Sequence, residues 1–252
     1  MSCRFANHVI IANDIWRAKL IRRSVAAADC TTVLNYPDLR LFSPAPTRRA
    51  HDDKFVMLYP GSLNHHQGVH TAVLALARIR DRVPHAELHV YGEGPAHSSL
   101  YELTEKLGLQ RRVHLHDPVP LEEIARTMAA ADLGIEPKLA DGFSGDAVST
   151  KILEFMAVGV PVIVSRTAAH AYYFDETVLR FFPAGDDVAL AEAIVEFHEH
   201  RFEQADLIAR AREFAVSYGW QRRVNDYLTL VDALLARSRR GVSISYRSAS
   251  IR

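Results

Sequence analysis

A chain of 252 residues, 48% hydrophobic and 24% charged, is long enough to bury one large core or two smaller ones. Its 30 basic and 30 acidic residues leave no formal net charge, which excludes a generic nucleic-acid or polyanion binder. Cys3 and Cys30 provide neither a disulfide framework nor a metal-ligand spacing, no apolar run nears the roughly 20 residues of a membrane span, and the first residues do not form a signal peptide. A cytoplasmic protein is therefore expected.

In chain order, residues 9–12 read as a strand, 14–23 as a helix capped by Asn13 or Asp14, and 31–34 as a second strand. Residues 35–53, with Pro37, Pro44 and Pro46 among arginines and aspartates, read as an interdomain linker. Short β-type runs then alternate with helical patterns from Lys54 to Phe182, which predicts an α/β fold with a doubly wound parallel sheet. Strands are expected at 55–59, 88–91, 113–116, 133–135, 160–164 and 178–182. The first helix presents Val69, Ala72, Val73, Leu76 and Ile79 on one face, the second ends near Gly108, and the third opens at Pro120 with Glu122 and Glu123 in its first turn. A fourth runs through Ile152, Phe155 and Met156 to Gly159, and long helical patterns occupy 187–200, 202–218 and 221–236. Such sheets bind ligands at the carboxyl ends of their strands, so the loops there carry the candidate chemistry.

The first loop, Gly61-Ser62-Leu63-Asn64-His65-His66-Gln67-Gly68, places two glycines around polar residues at a strand-to-helix turn, where backbone N–H groups suit a phosphate. Gly92-Glu93-Gly94-Pro95 closes the next strand at the same sheet edge. His65 and His66 are adjacent, a spacing that rarely shares one ion, and His114 and His116 read as polar residues near a strand end, so no metal site is expected. The richest segment runs from Phe143 to Ser165. Asp146 lies in a Gly-bearing loop, Ser149 and Thr150 stand at a helix start, and Glu154 follows about one turn into the helix. Two acids so spaced suit a ligand clasped lengthwise, with hydroxyls on the carboxylates and phosphates over the helix start. A helix end offers about half a positive charge, so a diphosphate needs a cation as well; Lys151 is best placed and Lys138 second. The alternative is an ordinary surface pair between Lys151 and Glu154, three residues apart on one helix.

The run Ser149-Thr150-Lys151-Ile152-Leu153-Glu154-Phe155-Met156-Ala157-Val158-Gly159-Val160-Pro161 resembles the E-x7-E region of retaining glycosyltransferases with the GT-B fold, specifically family 4. The first loop is similar to that family's Gly-Arg-Leu…Lys-Gly loop, in a branch that reads Gly-Thr-Leu-Asn-x-His-Gln-Gly, and 92–95 to its Gly-x-Gly-Pro turn. The resemblance covers residues 8 to 236. It implies that Glu154 holds the ribose hydroxyls and that Asp146, in the first acid's place, faces the donor sugar. It also implies that Ser149 and Thr150 offer backbone donors to the diphosphate beside Lys151, that Gly61, Ser62, Gly68, Gly92 and Gly94 let the loops approach the donor, and that Val119, after Pro118, lies where the base is read. Asp146 and Lys151 would be the catalytic groups; Lys138, Gln67 and the remaining residues would bind donor. Ser62 and Gln67 stand where the family has Arg and Lys, so Lys151, Lys138 and His66 would have to compensate, and Asp146 is one methylene shorter than the usual Glu.

The implied reaction is sugar transfer from a nucleoside-diphosphate sugar to an acceptor hydroxyl, with retention, no cofactor and no metal. The expected organisation is a remnant of an acceptor domain at 1–40, a linker at 41–54, a nucleotide-sugar-binding domain at 55–236, and a basic, disordered tail at 237–252. The acceptor half would then come from a separate chain or a homodimer partner, and the basic tail would allow peripheral contact with the inner membrane. The alternatives are a truncated or non-catalytic nucleotide-sugar-binding module and, among enzymes, a nucleotide-sugar epimerase.

Overall fold

The computed structural model describes residues 2–44, 54–142 and 144–240. They form two compact units: the described residues up to Tyr36 together with those from Trp220 onward, and Pro37–Gly219.

In the first unit, β1 (Val9–Ile11) and β2 (Cys30–Thr32) pair in parallel, and α1 (Asp14–Arg23) joins them. Asn13 caps α1, its side-chain oxygen accepting from the Trp16 N–H at 2.8 Å. The long helix α9 (Trp220–Arg240) belongs to this unit and buries Leu230. It also corrects the expected tail: residues 237–240 are helical, and the Arg237 guanidinium donates to the Asp29 carboxylate at 2.6 Å. The rest of the tail, 241–252, lies outside the described residues, as does 45–53 of the expected linker. The part of that linker that is described folds onto the second unit, where Phe42 is buried and the Leu39 side chain packs against Gly219.

The second unit is a six-stranded, wholly parallel sheet. Its strands are β3 (Phe55–Pro60), β4 (Ala86–Tyr91), β5 (Val113–His116), β6 (Leu133–Glu136), β7 (Val162–Arg166) and β8 (Arg180–Pro183). The spatial order is β5-β4-β3-β6-β7-β8. Helices α2 (Val69–Ile79), α3 (His97–Lys106), α4 (Leu121–Ala130), α5 (Thr150–Val158), α6 (Ala168–Tyr173), α7 (Asp187–Glu199) and α8 (Ala205–Ser217) follow the strands. Every residue of the central strands β3 and β6 is buried, as parallel strands covered on both faces require. One layer packs Val73, Leu76 and Ile79 of α2, Leu100 of α3 and Leu190 and Ile194 of α7 on Phe55, Met57 and Leu88. On the other face Phe155 of α5 lies directly over Gly134, where a Cβ would come within 2.6 Å of its ring. The edge differs. Along β4, buried Ala86, Leu88 and Val90 alternate with half-buried Glu87, His89 and Tyr91. No helix among the described residues is long and apolar enough to cross a membrane.

Candidate functional site

Strand order reverses between β3 and β6: the chain runs outward from β3 through β4 to β5, then returns to lay β6 on β3's other side. This is the topological switch point, and the crevice beyond the carboxyl ends of these two strands is where doubly wound sheets take ligands.

Glu136, the last residue of β6, ends in that crevice and is completely buried. The Lys151 ammonium donates to its Oε2 at 2.8 Å, the Ser149 hydroxyl donates to its Oε1, and the Lys138 Nζ stands 3.9 Å from Oε1 while donating to the Ala147 carbonyl at 3.2 Å. Burial by itself would raise the Glu136 carboxyl, but the Lys151 and Lys138 ammoniums outweigh it and hold the group down at about 2. Burial likewise works to lower Lys151, and the Glu136 charge overcomes it, leaving Lys151 above its ordinary value; for Lys138 burial prevails and the pKa falls. Two ammonium groups against one carboxylate leave one net positive charge in the cluster. The Lys151 Nζ also sits 4.3 Å above the centre of the Tyr59 ring, whose hydroxyl donates to the Ser62 carbonyl at 2.9 Å.

Because the Ser149 hydroxyl is turned to Glu136, no side chain caps α5, although Ser149 occupies its N-cap position. The first N–H groups of the helix therefore keep their partial positive charge directed into the crevice. Thr150 opens the helix, half-buried. Glu154 lies one turn further on, also half-buried, and among the described residues its carboxyl takes no hydrogen bond. Burial raises it to about 7, against the opposing pull of Lys151. The surface pair of Lys151 with Glu154 is thus not formed; Lys151 turns instead to Glu136.

The loops close on one another by backbone contact. Gly61 N–H donates to the Tyr91 carbonyl at 2.8 Å and Leu63 N–H to the Glu93 carbonyl at 2.7 Å. Gly92, at φ +152°, lies so close to the Gly61 carbonyl that a Cβ would come within 1.9 Å of its oxygen. Gly94 is similarly pressed against Leu63. A Cβ on Gly61 would meet Lys151 Nζ at 3.2 Å, so the first loop runs directly over the ammonium. Gly68, at φ +69°, leads into α2 against the Pro137 carbonyl, and the Leu139 N–H donates to the His66 carbonyl at 2.9 Å. The Gln67 amide nitrogen lies 3.4 Å from His66 Nε2, and its oxygen is buried without a hydrogen-bond partner.

Gly61, Lys138, Ser149 and Lys151 therefore meet around Glu136, with Gly92 and Gly94 joined to them through loop one. Ser62 is exposed. Asp146 is half-buried in the turn Ser144–Asp146, against which α6 packs; Phe143 just before it lies outside the described residues. Val119 stands, half-buried, in the loop that follows β5, two strands away from Gly61.

Two participants escape the sequence reading. Glu136 looks like a polar strand end until Ser149 and Lys151 fold onto it; the usable signal was an acid at the carboxyl end of an otherwise apolar central strand. His170, on the short helix α6, is fully buried; its Nδ1–H donates to the Ser165 carbonyl at 2.8 Å, and its Nε2 has no hydrogen-bond partner. Burial lowers its pKa to about 4, so the ring is neutral beside the charged cluster. Apart from this crevice, one group among the described residues has the composition and proximity to hold a metal ion: Glu87, His89 and His114, on the half-buried face of β4 and β5.

Residues 46–214 match the family of group 1 glycosyl transferases. The gpi3 subunit of phosphatidylinositol N-acetylglucosaminyltransferase from Schizosaccharomyces pombe (strain 972) is 23% identical over 218 residues, 85% of this chain and 46% of that protein. The D-inositol 3-phosphate glycosyltransferase of Arthrobacter sp. (strain FB24) is 27% identical over 196 residues, covering 73% of this chain and 45% of that one. Among solved structures, Anabaena Alr3699/HepE in complex with UDP superposes with a TM-score of 0.77 at 21% identity, covering 92% of this chain and 65% of that one. The chain spans about half the length of these two curated relatives.

Proposed function

The chain belongs to the group 1 glycosyl transferases, and we propose that the switch-point crevice binds a nucleoside-diphosphate sugar for transfer to an acceptor hydroxyl with retention, as in family 4. The diphosphate would lie over the uncapped start of α5, on the N–H groups of Thr150 and Lys151. Helix end and buried cluster together supply roughly one and a half positive charges, close to the two negative charges of a diphosphate. The Glu154 carboxylate would accept hydrogen bonds from the ribose hydroxyls, Asp146 would face the sugar, and Val119 would border the base. Rate acceleration would come chiefly from electrostatic stabilisation of the leaving diphosphate.

Glu154 carries this reading. A half-buried carboxyl at about 7, to which none of the described residues donates a hydrogen bond, is a costly group for a fold to keep, and a diol beside it would lower that cost. The UDP held by the Anabaena protein is consistent with this ligand class. A second reading, nucleotide-sugar binding without turnover, is favoured by Ser62 and Gln67 in place of the family's cations and by the shorter Asp146. Calorimetric titration with UDP and GDP tests the first. Glu154→Ala should weaken the preferred nucleotide by at least ~10-fold, as loss of a charge-assisted hydrogen bond requires. Equal affinity in wild type and variant removes Glu154 from the site.

A further inference from the structure

The proposed donor chemistry does not use the histidines of β4 and β5, and their arrangement is more ordered than two polar strand ends require. His89 and His114 are direct cross-strand neighbours, as are Tyr91 and His116, so Glu87, His89, His114 and His116 share one face of the sheet edge. Glu87 Oε2 lies 3.2 Å from His89 Nε2 and 3.5 Å from His114 Nε2, and one ligand atom from each of the three residues lies within 4.8 Å of the others. A tetrahedral zinc ion with bonds of about 2.0–2.1 Å separates its ligand atoms by roughly 3.3–3.4 Å along each edge. Two of the three edges are therefore already near the required length.

We propose that Glu87, His89 and His114 bind a divalent first-row transition ion, zinc by preference, which pins the edge strand β5 to β4. Two neutral imidazoles and one carboxylate form a ligand set of borderline softness that suits zinc better than calcium or magnesium. His114 Nε2 is buried, has no hydrogen-bond partner among the described residues, and lies 3.5 Å from Glu87 Oε2, where a shared ion would satisfy both. The outer contacts are those a ligated site uses. His89 Nδ1 is 3.0 Å from His116 Nε2, an outer contact that orients the His89 ring, and His89 Nε2, which faces Glu87 Oε2 at 3.2 Å, would give up its proton to the ion. The His116 ring is in turn stacked on Tyr91 with centroids 4.2 Å apart, and Glu87 Oε1 is held by the Lys54 ammonium at 2.8 Å, leaving Oε2 for the ion. Side-chain exposures of 14% for Glu87, 23% for His89 and 33% for His114 leave an entry path and room for a water as fourth ligand. The His116 carbonyl accepts from Gly92 N–H at 3.1 Å, and the loop carrying Val119 departs from the same strand end. Fixing β5 thus steadies one wall of the crevice.

The test is zinc binding by the full chain after removal of metal with a chelator. Titration calorimetry with zinc chloride should show one site of micromolar or tighter affinity, and cobalt(II) should give the intense visible absorption of a four-coordinate ion. His114→Gln and Glu87→Gln should each weaken zinc at least tenfold and abolish the cobalt band, whereas His85→Gln and Cys3→Ser, which change the exposed His85 and a thiol elsewhere, should not. Circular dichroism of the metal-free variants checks their fold; should His114→Gln be unfolded, His89→Gln takes its place. Zinc should also raise the melting temperature of the wild type and of the two controls only. Wild-type affinity in Glu87→Gln and either histidine variant, or no uptake of zinc by the wild type, would overturn the assignment and leave the imidazoles as a stacked cluster that binds no ion.

Discussion

Replacing Glu154 with Gln should stabilise the free protein and weaken its hold on a nucleotide, two effects of opposite sign from one atom change. Burial lifts this carboxyl from 4.5 to about 7. Each pKa unit is about 1.4 kcal/mol, so keeping the group ionised at alkaline pH costs the fold ~3.5 kcal/mol at most, and roughly 1–3 kcal/mol once its partial exposure is allowed for. A carboxyl whose pKa rises on folding keeps its proton in the folded state while the unfolded chain has already lost it. The penalty is therefore absent below about pH 4.5, grows to about pH 7, and is constant above that. Gln carries no charge and escapes the penalty throughout. Differential scanning calorimetry should show the variant melting roughly 3–8 °C above wild type at about pH 8, with the gap closing toward about pH 4.5. On the same samples, affinity for UDP or GDP should fall at least ~10-fold at neutral pH. A melting difference that does not change with pH, or none at all, would refute the placement of Glu154 in a desolvated crevice.

Glu136→Ala should lower stability by about 3–5 kcal/mol, because it leaves the Lys151 and Lys138 ammoniums buried without their counter-charge; urea unfolding measures it. Since Glu136 is depressed to about 2, its contribution is complete above about pH 4.5 and is lost as pH falls toward 2, which acid titration of the wild type would reveal. The double variant Glu136→Leu with Lys151→Met removes both charges of the closest pair and should unfold within about 1–2 kcal/mol of wild type, yet bind nucleotide at least ~10-fold more weakly. Gly92→Ala forces a Cβ onto the Gly61 carbonyl and should cost about 2–3 kcal/mol in thermal unfolding, with loss of nucleotide affinity as the two loops part.

The six strands of the main sheet were legible because parallel strands covered on both faces must be nearly continuous apolar runs, and residues 55–60 and 133–136 are buried throughout. Helix α6 was not read, since six residues give no full period and its cap, Thr167 accepting from the His170 N–H, looks like ordinary loop chemistry. The 35–53 segment read as linker from its prolines, but Phe42 is buried and Leu39 packs against Gly219, a contact no local window contains. Asp146, Lys151 and Glu154 stood out because they lie within nine positions of one another. Glu136 did not, because its partners Ser149 and Lys151 reach it only through the crossover between β6 and α5. The same limit hid the metal-competent group: His114 and His116 were read as two residues of one strand, while Glu87 and His89 join them only through the register of β4 with β5.

The most direct test is a crystal structure of the chain with UDP or GDP bound. The ribose should lie within hydrogen-bond distance of Glu154, with the pyrophosphate over the N–H groups of Thr150 and Lys151. A nucleotide seated anywhere else on the molecule, with Glu154 still lacking a partner, would contradict the account.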